Sequence, residues 1–443
     1  METIAQISTP LGSGGIAVVR MSGDNSLDIA FKLFSCKNLN KQTIEPRKLY
    51  LGNFCFDGVT EKCLMAYFKC PFSYTGEDIV EFQIHGGEFL ATFVLNALLS
   101  SGAVLAENGE FSRRAFLNGK MSLDEAEGMI DIINATSKAE LKAASKLLVG
   151  ELTPIVKDMQ SRLKDALADL EVAIDYPEND DDVMSIAQVK NVLADIKCEL
   201  QKLYSSRQNG KVIKFGISVA IVGKPNVGKS SLLNALIGED VAIVTNIKGT
   251  TRDIVKETIS YNGIKINFLD TAGIRESEDE VEKIGIEKSK TAIENADVVL
   301  AVFDSSCDLD QEDKQLLELV ENKNKIIVLN KTDLKQKLFI DGAIEISAKN
   351  KHNTDIIKTE ILKCAKADNI DFQSVIITNQ RHNQVIKTAL EMVDKAIDEC
   401  DHSTADIVDH IVKDIWRELG KITGESEVEN IIDAIFSKFC LGK

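Results

Sequence analysis

The octapeptide Gly223-Lys224-Pro225-Asn226-Val227-Gly228-Lys229-Ser230 constrains the fold of this chain more than any other stretch. It follows an apolar run over 217–222 and opens a helical pattern at Leu232, Leu233, Ala235 and Leu236. A glycine-rich turn between a buried strand and a helix aims backbone N–H groups at an anion. The helix start adds positive potential, so the segment reads as a phosphate loop. In that reading Lys229 neutralises the outer phosphates and the Ser230 hydroxyl coordinates magnesium.

Four further segments follow in the order such a site requires. Asp270-Thr271-Ala272-Gly273 ends the next apolar strand, where a carboxylate can hold the metal through water and Gly273 can approach a γ-phosphate. Between it and the phosphate loop lies Gly249-Thr250-Thr251-Arg252-Asp253, whose threonine can complete the magnesium shell only when the third phosphate is present. Taken alone, that segment reads equally well as a turn. Asn330-Lys331-Thr332-Asp333 follows a buried run, and Asp333 can accept hydrogen bonds from N1–H and the exocyclic amine of guanine, which adenine cannot offer. Ser347-Ala348-Lys349 follows another strand and suits backbone contact to the guanine oxygen. Together the five parts predict a site for GTP.

At 443 residues the chain is too long for one core. Residues 1–118 carry short apolar runs such as 16–19 and 64–68 broken by Gly, Pro and Asn, with almost no long helical pattern, and read as a small α+β domain. From Leu123 the spacing turns helical: Ala126, Met129, Ile130, Ile133, then Ala144, Leu147, Leu148, then Met159, Leu163, Ala166, Leu167, Leu170 and Ile174. Buried strands alternate with helices from 217, with strands at 298–303, 325–329 and 343–346, and Asn262-Gly263 predicts a hairpin. Helical periodicity returns after 370 at Ile407, Val408, Ile411, Ile415 and Leu419, then Ile431, Ile432, Ile435 and Phe439. The expected architecture is multidomain, α/β plus all-α: a P-loop (Ras-like) α/β domain at 211–369 inserted in a helical domain, 119–210 and 370–443, preceded by the α+β domain at 1–118. The acidic run 178–182 reads as a solvated loop.

Nine cysteines with no C-x-x-C pair argue for a reducing compartment and against a thiolate metal site. No apolar run approaches the roughly 18 residues of a membrane span, and a cytoplasmic location is expected. A net charge of −17 argues against nucleic-acid binding by the whole surface, so an RNA partner needs a local patch; Arg113, Arg114 and Lys120 form a small basic cluster.

Four features beyond the generic nucleotide set resemble one family, the bacterial tRNA modification GTPases MnmE (TrmE). They are the stretch from Tyr74 to Glu81 with His85-Gly86-Gly87 behind it, the stretch from Phe111 to Lys120, the Gly249 to Asp253 stretch, and the terminal Phe439-Cys440-Leu441-Gly442-Lys443. The resemblance covers essentially the whole chain. It implies an N-terminal domain that binds folate and dimerises, and a G domain inserted in a helical domain.

By that resemblance, nucleotide contacts are expected at Asn226, Val227, Gly228, Lys229, Ser230 and Ser231; at Thr245, Asn246, Ile247, Lys248, Gly249, Thr250 and Thr251; at Asp270, Thr271, Ala272 and Gly273; and at Asn330, Lys331, Asp333, Ser347, Ala348 and Lys349. Ser230 and Thr251 would hold Mg2+. Asn226, Thr245, Ile247 and Thr250 would hold K+, which takes the part of an arginine finger when G domains pair. Ile274 stands where other GTPases place a glutamine, and the resemblance gives the water-positioning role to Glu282. Arg20, Glu81, Lys120 and Lys443 resemble the contacts to a tetrahydrofolate derivative, 5,10-methylene- or 5-formyl-tetrahydrofolate. Cys440 resembles the family's motif cysteine and is read either as a participant in the chemistry or as a helix-packing residue; a lipidation box is a poor fit because Gly442 is not aliphatic.

The implied function is GTP-driven installation of a carboxymethylaminomethyl or aminomethyl group at the 5-position of the tRNA wobble uridine. The implied partners are a second copy of the chain and the FAD-containing flavoprotein MnmG, in a heterotetramer. Two rivals remain: a regulatory or ribosome-assembly switch, and a folate one-carbon transferase whose G domain is incidental.

Overall fold

The computed structural model describes residues 2–175, 186–238, 255–269, 291–426, 429–439 and 442. The acidic run 178–182 lies outside them. The chain forms two compact units that do not follow chain order: Met1–Ile133 with Lys146–Ile196 and Glu391–Lys443, and Asn134–Ser145 with Lys197–Leu390.

The first unit carries seven strands: β1 (Ile4–Ile7), β2 (Ile16–Ser22), β3 (Phe34–Ser35), β4 (Leu49–Phe56), β5 (Val59–Phe68), β6 (Ile79–His85) and β7 (Val104–Leu105). Their order is β3-β4-β5-β6-β2-β1-β7, antiparallel except where β7 runs parallel to β1. Inward residues alternate along β2 and β6, as a half-buried strand demands, and Phe54 meets Phe82 edge to face at 5.2 Å. The β2–β6 register sets Arg20 directly opposite Glu81. A 13-residue helix, Glu88–Ser100, crosses this domain where no long helical pattern is legible. Its polar residues Glu88, Thr92, Asn96 and Ser100 form one exposed stripe opposite buried Ala91, Val94, Leu95 and Leu98, but small or neutral polar groups and the 86% exposed Phe89 weaken the contrast between the faces.

The helical part of this unit pairs Leu152–Asp175 with Ala405–Thr423. Val156, Met159, Leu163, Ala166 and Leu170 form one buried stripe, and Val408, Val412, Ile415, Leu419 and Ile422 form the other. Each fully buried Leu, Ile or Val contributes about 1.5–3 kcal/mol. The expected stripes overreach at helix ends, where Ile133, Ile174, Ile407 and Ile431 are exposed. Side chains in a terminal turn have fewer neighbours to cover them.

The second unit holds β8 (Ile217–Val222), β9 (Val255–Tyr261), β10 (Ile264–Leu269), β11 (Val298–Asp304), β12 (Lys325–Asn330) and β13 (Ile344–Glu345), ordered β13-β12-β11-β8-β10-β9. All pairs are parallel except the β9–β10 hairpin. Asn262 and Gly263 both take positive φ, 50° and 81°, the conformation a two-residue hairpin turn needs. Val298 to Phe303 are buried without alternation because the sheet is covered on both faces. Ala139 and Ala143, from the helix Lys138–Leu148, belong to this core, and the Ala139 N–H donates to Gly263 O at 3.1 Å. Strand order reverses at β8, with β10 on one side and β11 on the other, so a crevice opens beyond its carboxyl end.

Candidate functional site

The phosphate loop leaves β8 at that crevice and enters the helix Lys229–Ile237. Gly228 sits at φ 97°, and a Cβ there would stand 2.3 Å from Asn330 Nδ2, so both conformation and space require glycine. A helix start has no intrahelical acceptors for its first N–H groups, and Ser230 lies in that first turn. The Lys229 Nζ donates to Gly223 O at 2.8 Å and Lys224 O at 2.7 Å, and burial pushes its pKa down. Among the described residues this half-buried ammonium meets carbonyl oxygens, and a phosphate would give it an anion. Asn226 and Ser231 are exposed, whereas the Val227 side chain is buried in the sheet core and leaves its backbone for a ligand.

Asn330, at the end of β12, is 2% exposed, and both ends of its amide are engaged: Nδ2 donates to Val227 O at 2.8 Å and Oδ1 accepts from Ala348 N at 3.0 Å. It therefore ties the phosphate loop to the Ser347 to Lys349 loop. Sequence reasoning assigned Asn330 to the nucleotide and missed this cross-tie, since spacing alone does not show which loops meet. The Asp333 carboxylate is exposed and accepts from Ser347 Oγ at 2.6 Å, which holds its pKa below the usual carboxylate range. Lys331 Nζ meets Asp304 Oδ2 at 2.6 Å. Burial opposes ionisation of Asp304, yet the Lys331 and Ser306 bonds outweigh it and its pKa is lowered. Asp304 was not anticipated; its position at the end of a buried strand beside a basic loop is the only signal.

Thr245, Asn246, Ile247, Lys248, Gly249, Thr250, Thr251, Asp270, Thr271, Ala272, Gly273, Glu282, Cys440 and Lys443 lie outside the described residues.

In the first unit, the two motifs around Tyr74 and Phe111 face each other. Tyr74 Oη and Ser112 Oγ are 2.7 Å apart, Asn118 Nδ2 donates to Thr75 O at 2.7 Å, and the stem of Lys120 lies against Gly76. Arg20 and Glu81 form an ion pair at 2.7 Å, with the guanidinium 5.5 Å from the Tyr74 ring centroid and 5.7 Å from that of Phe111. The chain end joins the same domain: Ser8 Oγ donates to Gly442 O at 3.0 Å, and Gly442, at φ 83°, leaves no room for a Cβ beside Ile7 O. The expected basic cluster is not a surface patch. Arg114 is buried against Glu77 and Glu110, and Arg113 pairs with Asp433 and Glu429, which leaves Lys120 exposed. Glu110, one turn away, and Glu77 neutralise Arg114, and acids more than 300 residues away neutralise Arg113, which the spacing of the cations does not show.

Among the described residues no helix is long and apolar enough to cross a membrane, and no cluster of His, Cys, Asp and Glu suits a metal.

A phosphate loop at the switch point of a parallel sheet, facing an Asn-Lys-x-Asp loop whose exposed carboxylate suits guanine, defines a P-loop guanine-nucleotide-binding protein. Two family models match the chain: the GTP-binding protein TrmE N-terminus over residues 3–120 and the MnmE helical domain over residues 123–440. The tRNA modification GTPase MnmE of Ligilactobacillus salivarius is 38% identical over 461 residues, with 100% of this chain and 98% of the relative covered. That of Clostridioides difficile is 39% identical over 457 residues, with 100% and 99% covered. Among solved structures, Era in complex with MgGDPNP and a segment of 16S ribosomal RNA matches 33% of this chain and 56% of its own, at 34% identity and a TM-score of 0.26. The chain belongs to the MnmE (TrmE) family of tRNA modification GTPases.

Proposed function

We propose that this chain hydrolyses GTP in the service of tRNA modification, installing a carboxymethylaminomethyl or aminomethyl group at the 5-position of the wobble uridine in the cytoplasm. The observation that carries the reading is the coupling, through Asn330, of a phosphate loop to a loop with an exposed, ionised Asp333. Family membership supplies the tRNA. Asn226 to Ser231 and Lys229 above all would bind the phosphates, while Asp333, Lys331 and the Ser347 to Lys349 loop would bind the base. Ser230 and Thr251 would hold Mg2+, which would supply neutralisation of phosphate charge. Asn226, Thr245, Ile247 and Thr250 would hold K+ when two G domains of a homodimer pair, with Glu282 orienting the attacking water. The domain limits follow the sequence reading: 1–118, 119–210, 211–369 and 370–443.

The folate reading rests on the Arg20–Glu81 pair. A guanidinium and a carboxylate, 21% and 16% exposed and flanked by Tyr74 and Phe111, suit a flat heterocycle with N–H donors and an anionic tail. Lys120 and Lys443 would add cations for the tail, and Cys440 would stand near the one-carbon unit. The flavoprotein MnmG would complete a heterotetramer. Arg20→Ala is expected to weaken binding of 5-formyl-tetrahydrofolate about tenfold or more in an equilibrium titration, the scale of one lost charged hydrogen bond. Unchanged affinity would move the folate elsewhere.

GTP turnover by the full chain in potassium and in sodium at equal ionic strength tests the cation mechanism. Potassium should activate strongly, and Glu282→Gln should abolish that activation, by about 100-fold or more in kcat, while nucleotide still binds. Equal slow turnover in both salts would favour a regulatory GTPase switch.

A further inference from the structure

The side chain of Lys224 is not spent on the nucleotide side of the phosphate loop. Its Nζ contacts Asp310 Oδ2 and lies 2.8 Å from Asp313 Oδ2, on the helix Gln311–Leu319. That helix start is itself capped. Asp310 Oδ1 accepts from the N–H groups of Glu312 and Asp313, both at 3.1 Å, and Asp313 Oδ2 accepts from Asp310 N at 3.2 Å, which makes a reciprocal capping box. Asp313 is 6% exposed, so the ammonium meets a carboxylate screened from water. Meanwhile the Lys224 carbonyl accepts from Lys229 Nζ at 2.7 Å. One residue thus joins the cap of a neighbouring helix, through its side chain, to the phosphate-binding lysine, through its backbone.

We propose that Lys224 is a positioning residue for GTP binding: its tether to Asp310 and Asp313 holds the phosphate loop in place before nucleotide arrives. This goes beyond the GTPase reading and rests on it. A loop already ordered loses less conformational freedom on binding, so the tether acts on how long nucleotide stays. The ammonium stays charged throughout the working range, because the two aspartates outweigh burial and push its pKa up to about 12. Asp310 is held down to about 2 by Lys224.

The test uses the full chain and a fluorescent GDP analogue, with dissociation rate, kcat and KM measured for Lys224→Met, Asp313→Asn, the double variant and Lys224→Arg. Lys224→Met and Asp313→Asn should each speed dissociation and raise KM about tenfold with kcat changed less than twofold. The double variant should be no worse than Lys224→Met, because that substitution already removes the contact to Asp313 along with the one to Asp310. Lys224→Arg should recover most of the loss. Additive effects in the double variant, or a lowered melting temperature with unchanged dissociation, would overturn the proposal and leave a helix cap only. Failure of the wild type to bind GDP at all would instead sink the GTPase reading.

Discussion

Asp333→Asn is expected to lower GTP affinity by about two to four orders of magnitude, and to give the variant a preference for xanthosine triphosphate. Guanine presents two donors, N1–H and the exocyclic amine, and an ionised carboxylate accepts both. Asparagine turns one acceptor into a donor that faces the amine, so a desolvated pair of donors replaces a hydrogen bond. Xanthine carries a carbonyl oxygen where guanine carries the amine, and the new donor is then matched. The Ser347 hydroxyl, bonded to Oδ1, aims the carboxylate and holds its pKa below the usual range. A lowered pKa keeps the acceptor ionised above that value and loses it only as pH falls through it. Affinity for GTP is accordingly expected to be flat through mildly acidic pH. Titration of wild type and variant with both triphosphates checks each point; a variant that still prefers GTP would remove Asp333 from the base site.

Asn330→Ala acts differently, by uncoupling two loops rather than by changing a ligand contact. The substitution strands Val227 O and Ala348 N in a buried place, at about 1–3 kcal/mol for each group left unsatisfied. We expect a lower melting temperature and a loss of nucleotide affinity of about 100-fold, because the phosphate loop and the Ser347 to Lys349 loop no longer share a frame. The nucleotide-induced rise in melting temperature should shrink with the affinity. A variant that loses stability but keeps the full nucleotide-induced rise would show that the cross-tie serves the fold alone. Asn330→Asp is the sharper comparison: it can still accept from Ala348 N, yet sets a carboxylate against Val227 O and should be no better than alanine.

Local pattern carried much of the second unit. The apolar runs at β8, β11 and β12 are strands because they are buried on both faces, and the Asn262-Gly263 turn is a hairpin because few other pairs tolerate two positive φ values. The helix Glu88–Ser100 escaped because its polar stripe of Glu88, Thr92, Asn96 and Ser100 is weakly polar and flanked by exposed Phe89, and the exposed Ile174, Ile407 and Ile431 escaped because a stripe does not reveal where its partner ends. The grouping of Asn134–Ser145 with the nucleotide-binding unit was equally invisible, since Ala139 and Ala143 suit many helix surfaces.

The sequence by itself determined that a strand, a phosphate loop and a helix follow one another, and that a base-reading loop ends a later strand of the same sheet. Both are consequences of short-range spacing and chemistry, which one chain displays directly. Only the tertiary structure decided which groups meet: Asn330 across two loops, Lys224 with Asp310 and Asp313, Arg20 with Glu81, and Arg113 and Arg114 with acids up to 320 residues away. Those pairings depend on register and packing between distant segments, where a charge is defined by the neighbour that neutralises it.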